Sequence, residues 1–395
     1  MSRDRPLKLF VVAGEHSGDA LGAKLMAALG ARHPGAITYA GVGGELMEAQ
    51  GLTSLFAMSD VAVMGPVAIL KRLGPIVKRV YRTIDAAIAF EPDAVIIIDS
   101  PEFTHPIAKR IRKRRPHIPI IDYVSPTVWA WRPGRAKAMR PYVDHLLALL
   151  PFEPDAHARL GGPPCTYVGH PLVERIDQFR ALDGEPLRQR LGLDASRPVL
   201  VVLPGSRRTE VGRLIDVFRD TVRLIAERGP VPEVVIPVVP TVRGMIEEGL
   251  AAWPARPHLV EGELDKWSAF KLADAALAAS GTVTLELAVA GTPMVIGYKV
   301  EAIFARFLRR MVQVDMAGLS NLVLGEKAFP ERMQEACTAE ELAPLVGALL
   351  TDGPARQAQL AALAQVPARL AVPHGSPSDA AAEVVLRYAV PRRLG

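Results

Sequence analysis

Asp99 closes the apolar run DAVIIID (93–99) and is followed at once by Ser100, Glu102 and His105. A carboxylate at the end of a rigid strand, near a second acid and a histidine, suits a general base that activates a hydroxyl. The same residues also suit an ordinary helix start, with Ser100 or Asp99 as the cap and Pro101 in the first position. A second acidic position, Glu15, lies with His16 in VAGEHSGDALG (12–22). There Gly14, Gly18 and Gly22 punctuate a strand-to-helix turn that can bring backbone N–H groups up to an anion. A helix capped by Ser17 or Asp19 is the plainer reading of that turn.

Two further stretches have the makings of a phosphate site. In VVLPGSRRTEV (201–211), Gly205 and Ser206 make a compact turn before a helix, and Arg207 and Arg208 add fork-shaped donors. Adjacent arginines at a helix start oppose the dipole, a cost that a bound diphosphate would offset. Glu210 is the alternative counter-charge. In AASGTVTLELAVAGTPMVIGYK (278–299), Ser280, Gly281 and Thr282 open a short helix whose leading N–H groups can hold phosphate oxygens. Glu286, one turn inside, can accept two hydrogen bonds from a ribose diol, or simply compensate the dipole. Downstream, GLSNLVLGEKAFPERMQ (318–334) is polar and loop-rich, and is expected to turn Asn321, Glu331 and Gln334 toward a cleft. DYVSPTVWAWRPGR (122–135) places Trp129 and Trp131 in one loop with Arg132 and Arg135, suited to a sugar face or an apolar ligand, although core packing is the commoner use of Trp.

Several chemistries lose their support. Neither glycine loop completes G-x-G-x-x-G, and no G-x-x-x-x-G-K-[ST] occurs, which argues against nicotinamide and P-loop nucleotide chemistry. The nine histidines lack H-E-x-x-H spacing and no Asp-x-Asp pair exists, so no metal site and no cofactor are expected. Departing phosphate charge then falls to arginine and helix dipoles. Cys165 and Cys337 cannot build a disulfide framework. A net charge of +5 is too mild to point to nucleic acid, but is compatible with phosphorylated ligands or an anionic membrane surface.

The elements that must position these residues alternate between strand-length apolar runs and amphipathic helices, the pattern of parallel sheets with helical crossovers. It occurs twice. The expected strands are 7–13, 36–42, 93–99, 118–124 and 144–150 in the first half, and 198–204, 233–239, 257–262, 274–280 and 292–298 in the second. Val211, Leu214, Ile215, Phe218, Val222 and Ile225 recur at helical spacing until Gly229-Pro230 stops them. Residues 170–195 read as a linker, and after 338 only helices are expected. The 395 residues, 49% nonpolar and 23% charged, accommodate two such domains, with ligands in the crevice at the carboxyl ends of their strands.

No window supplies the roughly 18 uncharged apolar residues of a membrane span, and the run LFVVAG is too short for a signal peptide. VAVMGPVAIL (61–70) is followed by Lys71, Arg72, Lys78, Arg79 and Arg82, and FARFLRRMV repeats the mixture. Each suits an apolar patch dipping into an anionic interface, or a core segment with a solvated rim.

Taken in order, VAGEHSGD, VAVMG, IDSPEF, YVSPTVWAWR, LPFE, VGHPL, LPGSRRTEV, ASGTVTLE, PMVIGYK and SNLVLG resemble one family, the lipid A disaccharide synthases, over nearly the whole chain. The resemblance implies an α/β GT-B fold: two Rossmann-like doubly wound parallel-sheet domains with a cleft between them. They would be an acceptor- and membrane-facing domain (1–175) and a UDP-sugar domain (176–355), with C-terminal helices (356–395) returning toward the first. It implies an inverting transferase joining UDP-2,3-diacylglucosamine to 2,3-diacylglucosamine 1-phosphate, on the cytoplasmic face of the inner membrane of Gram-negative bacteria, as a homodimer. By resemblance Asp99 is the base, and Glu15 matches an acidic first-loop position. Ser206, Arg207, Ser280, Gly281 and Thr282 match diphosphate positions, Glu286 the ribose contact and Asn321 a donor-site position. Met64, Val67, Ile69, Leu70, Arg72 and Trp129 form the acceptor and membrane set. His16, Arg208 and Thr209 depart from the family pattern. A UDP-sugar 2-epimerase of the same architecture and a noncatalytic nucleotide-sugar or lipid binder are the competing readings.

Overall fold

Runs of Val, Ile and Leu without polar alternation become parallel strands covered on both faces. The computed structural model describes residues 6–61, 73–229, 231–301, 316–372 and 374–390. Among them the chain forms two parallel sheets. The first contains β1 (Leu7–Ala13), β2 (Ile37–Val42), β3 (Thr53–Ser54), β4 (Ala94–Ile98), β5 (Ile120–Tyr123), β6 (His145–Ala148) and β7 (Cys165–Tyr167). Its order is β3-β2-β1-β4-β5-β6-β7. The second contains β8 (Val199–Leu203), β9 (Glu233–Val238), β10 (His258–Glu261), β11 (Ala275–Ala279), β12 (Met294–Tyr298) and β13 (Glu331–Met333), in the order β10-β9-β8-β11-β12-β13. Each sheet reverses its direction of winding beside its first strand, at β1/β4 and at β8/β11. Such a switch point leaves a crevice beyond the strand ends, because the flanking connections depart to opposite sides.

All ten expected strands are present. The sequence reading missed β3, β7 and β13, which have two or three residues each and sit beside or at a sheet edge, where too few side chains are buried to leave an apolar run. Glu331–Met333, expected as part of a polar loop, is one of them.

The described residues up to Val173 and from Val372 onward form one compact unit, and Glu174–Ala371 the other. In the second unit, helix Arg208–Arg228 lays Val211, Leu214, Phe218, Val222 and Ile225 on the sheet residues Leu200, Val202, Ile236 and Leu277. In the first, helix Pro377–Ala389 packs Ala381, Ala382 and Val385 into the core shared with Leu25 and Leu29 of helix His16–Arg32. Ser376 caps it by accepting from the Asp379 N–H, and Asp379 pairs with Arg32 at 2.9 Å. Helices Pro354–Leu363 and Val366–Leu370 belong to the second unit.

Trp129, expected among the acceptor and membrane residues, lies in the first unit's interior, with 9% of its surface exposed. Its indole N–H must be partnered once buried, and it donates to Glu153 Oε1 at 3.2 Å while the ring meets Phe152 edge-on at 5.1 Å. The other oxygen of Glu153 accepts from the N–H groups of Leu149 and Leu150, at 3.1 and 3.0 Å. Burial pushes the Glu153 carboxyl up from the ordinary 4.5 to about 7. Its folded value exceeds its unfolded one, so the stability linked to its proton is complete below about 4.5 and is lost as pH rises through 7. Denaturant titrations across pH 4 to 8 are therefore expected to show the wild type losing stability relative to Glu153→Gln as pH rises, by an amount on the order of 1–3 kcal/mol. Parallel pH profiles would remove Glu153 from this role.

Candidate functional site

The sheet of the second unit ends in a cavity of about 760 Å³ at the carboxyl ends of β8, β9, β10 and β11. Gly205, Ser206 and Arg207 reach it from the turn after β8, and Ser280, Gly281 and Thr282 from the turn after β11. Glu286 reaches it from helix Val283–Ala290. Six of the seven residues assigned to the donor by resemblance thus line one cavity at a topological switch point.

Each has a definite setting. The Ser280 hydroxyl donates to the Ala317 carbonyl at 2.8 Å. Thr282 is the residue from which helix Val283–Ala290 starts, and the N–H groups of Thr284 and Leu285 turn back to the Gly281 and Thr282 carbonyls at 3.1 and 3.0 Å. Arg207 is exposed and its Nη1 lies 3.0 Å from Glu210 Oε1. Lys266 completes the cavity wall, with Nζ 2.9 Å from both oxygens of Glu286. The sequence reading missed this lysine. It lies in ELDKWSAF, which matches no motif, and only the fold brings helix Glu263–Leu272 beside Glu286.

Asn321, the seventh residue matched to the donor site by resemblance, is not among the residues that line this cavity. Its side chain is fully buried, its amide donates to the Phe329 carbonyl at 2.8 Å and to Glu331 at 2.7 Å, and its oxygen accepts from the Phe329 N–H at 2.9 Å. A buried amide must satisfy its donors locally, and this one closes its own loop. Glu331 also accepts from the N–H groups of Ala317 and Gly318. Asn321 is thus connected through Glu331 to Ala317, whose carbonyl accepts from Ser280. Gln334 is likewise engaged, accepting from Val300 N–H at 3.3 Å.

In the first unit Asp99 stands just beyond β4, and its N–H extends the ladder to the Tyr123 carbonyl at 3.0 Å. Asp99 and Ser100 both adopt left-handed backbone conformations, with φ of 50° and 44°. For non-glycine residues this is unfavourable and is found where surrounding structure imposes it. Asp99 Oδ1 accepts from the Ser100 N–H at 2.7 Å, and Thr104 Oγ1 donates to the carbonyls of Asp99 and Ser100. Ser100 sits against Gly14, where a Cβ would come within 2.7 Å of it, so the β1 and β4 loops meet only because residue 14 lacks a side chain. Glu15 follows there, half-buried, immediately before helix His16–Arg32. Asp19 does not cap its own helix. It accepts from the N–H groups of Gly44, Leu46 and Met47 and so anchors helix Glu45–Glu48.

A second cavity, of about 290 Å³, adjoins Asp99 and is walled by His105, Asp122, Ser125, Trp131 and Arg135. Trp131, rather than Trp129, is the tryptophan that faces it. Asp122 is buried at the end of β5 and lies 3.1 Å from His105 Nε2, while His105 Nδ1 lies 3.1 Å from the Tyr142 hydroxyl. Burial raises the Asp122 carboxyl above the usual carboxylate range, and the His105 hydrogen bond pulls the other way. Sequence reasoning did not single out Asp122 or Tyr142, because the pairing joins three separate elements. Met64, Val67, Ile69, Leu70, Arg72 and the FARFLRRMV segment lie outside the described residues. Among the described residues no helix is long and apolar enough to cross a membrane, and no His, Cys, Asp and Glu cluster could hold a metal ion.

Among solved structures, the chain is similar to a UDP-GlcNAc 2-epimerase from Neisseria meningitidis bound to UDP-GlcNAc, with a TM-score of 0.66 over 96% of this chain and all of that one, at 13% identity. A similar match is a protein described as a UDP-N-acetylglucosamine 2-epimerase from Listeria monocytogenes, with a TM-score of 0.63, 14% identity, and coverage of 97% of this chain and 96% of that one. These likenesses carry the fold, the GT-B type, and not the chemistry. Sequence relatives are far closer. The lipid-A-disaccharide synthase of Nitrobacter hamburgensis is 49% identical over 379 residues, 96% of this chain and 95% of that protein. The one from Rhodopseudomonas palustris strain BisB18 is 50% identical over 379 residues, with the same coverage of each chain. The family model for lipid-A-disaccharide synthetase matches residues 9–367, and the chain belongs to that family.

Proposed function

We propose that this protein is an inverting glycosyltransferase that joins UDP-2,3-diacylglucosamine to 2,3-diacylglucosamine 1-phosphate, giving the β-1,6-linked disaccharide 1-phosphate and UDP. The observation that carries the donor half is the 760 Å³ cavity, where Ser206, Arg207, Ser280–Thr282 and Glu286 converge at the switch point of the second sheet. In this reading Glu286 accepts from the ribose diol, and Lys266 holds its carboxylate oriented. The diphosphate lies against the Ser206–Arg207 turn and the N-terminus of helix Val283–Ala290, whose dipole favours a developing negative charge.

The first unit supplies the acceptor chemistry. Asp99 takes the proton from the acceptor 6-hydroxyl as that oxygen forms its bond to the anomeric carbon. The bond from that carbon to the β-phosphate oxygen breaks, and its electron pair leaves with UDP. A single in-line displacement inverts the anomeric centre. The strained Asp99–Ser100 backbone serves by fixing the carboxylate's direction. Glu15 lies at the neighbouring strand end and is assigned to orienting the acceptor sugar. Acylated substrates and association with an anionic lipid surface at the inner membrane belong to the same proposal. The 2-epimerase reading draws support from fold likeness alone, at 13% identity, and is not favoured.

Two outcomes follow. Asp99→Asn is expected to lower kcat by 10² or more while leaving the UDP dissociation constant within about twofold; unchanged turnover would remove Asp99 as the base. Glu286→Gln is expected to weaken UDP binding by about tenfold, as loss of a charged acceptor does, and to abolish preference for UDP over 2′,3′-dideoxy-UDP in calorimetry. Retained preference would place the ribose elsewhere.

A further inference from the structure

The concave side of the Gly205–Ser206–Arg207 turn is filled by one of the protein's own carboxylates. Glu210 Oε2 accepts from the backbone N–H groups of Ser206 and Arg207, each at 3.3 Å, and Oε1 lies 3.0 Å from Arg207 Nη1. Gly205, with φ of 118°, makes room for it: a Cβ there would fall 2.7 Å from Oε2. The Glu210 side chain is 14% exposed, whereas that of Arg207 is 65% exposed and can turn into solvent. All four residues line the 760 Å³ cavity.

A glutamate three residues into a helix commonly reaches back to cap the start, usually beside a serine or threonine that caps in return. Here the cap position is Arg207, which has no acceptor. The carboxylate therefore carries the capping itself, and gathers two backbone N–H groups and a guanidinium on one anionic group. Those are the donors that a diphosphate oxygen would use. They cannot serve both anions at full strength, and two anions sharing them repel.

We propose that Glu210 is an internal competitor for the donor's diphosphate, limiting the affinity of the turn and returning to it as UDP leaves. The inference rests on the second-unit cavity being the nucleotide site. It makes Glu210 a positioning residue that acts through the Ser206–Arg207 turn, tuning how long the product stays. Glutamine keeps an acceptor oxygen of the same reach but carries no charge, so it separates the capping role from the competing one.

The test is calorimetry of the full-length wild type, Glu210→Gln and Glu210→Ala with UDP, inorganic diphosphate and uridine, beside steady-state kinetics. In Glu210→Gln, UDP and diphosphate are expected to bind about tenfold tighter, uridine to bind as before, and kcat and the donor KM to fall together as release slows. Glu210→Ala is expected to move diphosphate affinity in the same direction even where loss of the cap lowers its melting temperature. Tightening for diphosphate in a protein that binds neither UDP nor uridine would sink the nucleotide reading on which the inference rests, and would overturn the inference's claim about UDP release with it. Unchanged or weaker UDP and diphosphate binding in a Glu210→Gln variant that melts like the wild type would overturn the inference, since Glu210 would then only hold Arg207 in place. Equal tightening for uridine would overturn it too.

Discussion

A parallel strand buried on both faces has no room for an unpartnered polar side chain along its length, so chemistry gathers where the strand ends. In this chain the five residues of β4 and the five of β8 are all buried, and Asp99 and the Gly205–Arg207 turn stand just beyond them. The constraint also selects which ends matter. At the β1/β4 and β8/β11 switch points the crossovers part, and there the two loops of each sheet converge. Gly14 against Ser100 and Gly205 beneath Glu210 are local consequences, since both close approaches exclude a Cβ.

A second regularity concerns charge. Lys266 pairs with Glu286, Arg207 with Glu210 and Arg135 with Glu102. Close ion pairs at half-buried or exposed sites add little net stability, and their effect here is to hold side chains in one geometry. In the proposed reading, a ligand carrying phosphate and hydroxyl groups meets donors and acceptors already oriented, and binds by exchanging partners. On that proposal affinity is a difference between two sets of interactions, which suits an enzyme that must release a charged product.

Much of the architecture was legible in the residues. The ten longer strands announced themselves as apolar runs, and the helix carrying Phe218 by its spacing. The motif residues Ser206, Arg207, Ser280 and Glu286 were legible because glycine turns and polar residues interrupt apolar runs at strand ends. What was not legible depended on partners distant in sequence. Lys266 acquires meaning only beside Glu286, 20 residues on, and Asp122 only between His105 and the Asp99 cavity. The surroundings of Asn321 and Trp129 were not legible for a related reason. A polar amide in a loop and a tryptophan near arginines look available, but each buries itself once the fold supplies partners, Phe329 and Glu331 for one and Glu153 for the other.

In the proposed reaction, donor cleavage and disaccharide formation are one displacement. The direct measurement supplies purified protein in detergent with the diacylated UDP-glucosamine and the diacylated glucosamine 1-phosphate, and follows UDP release together with mass spectrometry and anomeric analysis of the lipid. A single displacement gives a β-linked tetraacyl disaccharide phosphate in amounts equal to the UDP released. UDP appearing without disaccharide, or a C2-inverted sugar nucleotide in its place, would contradict it.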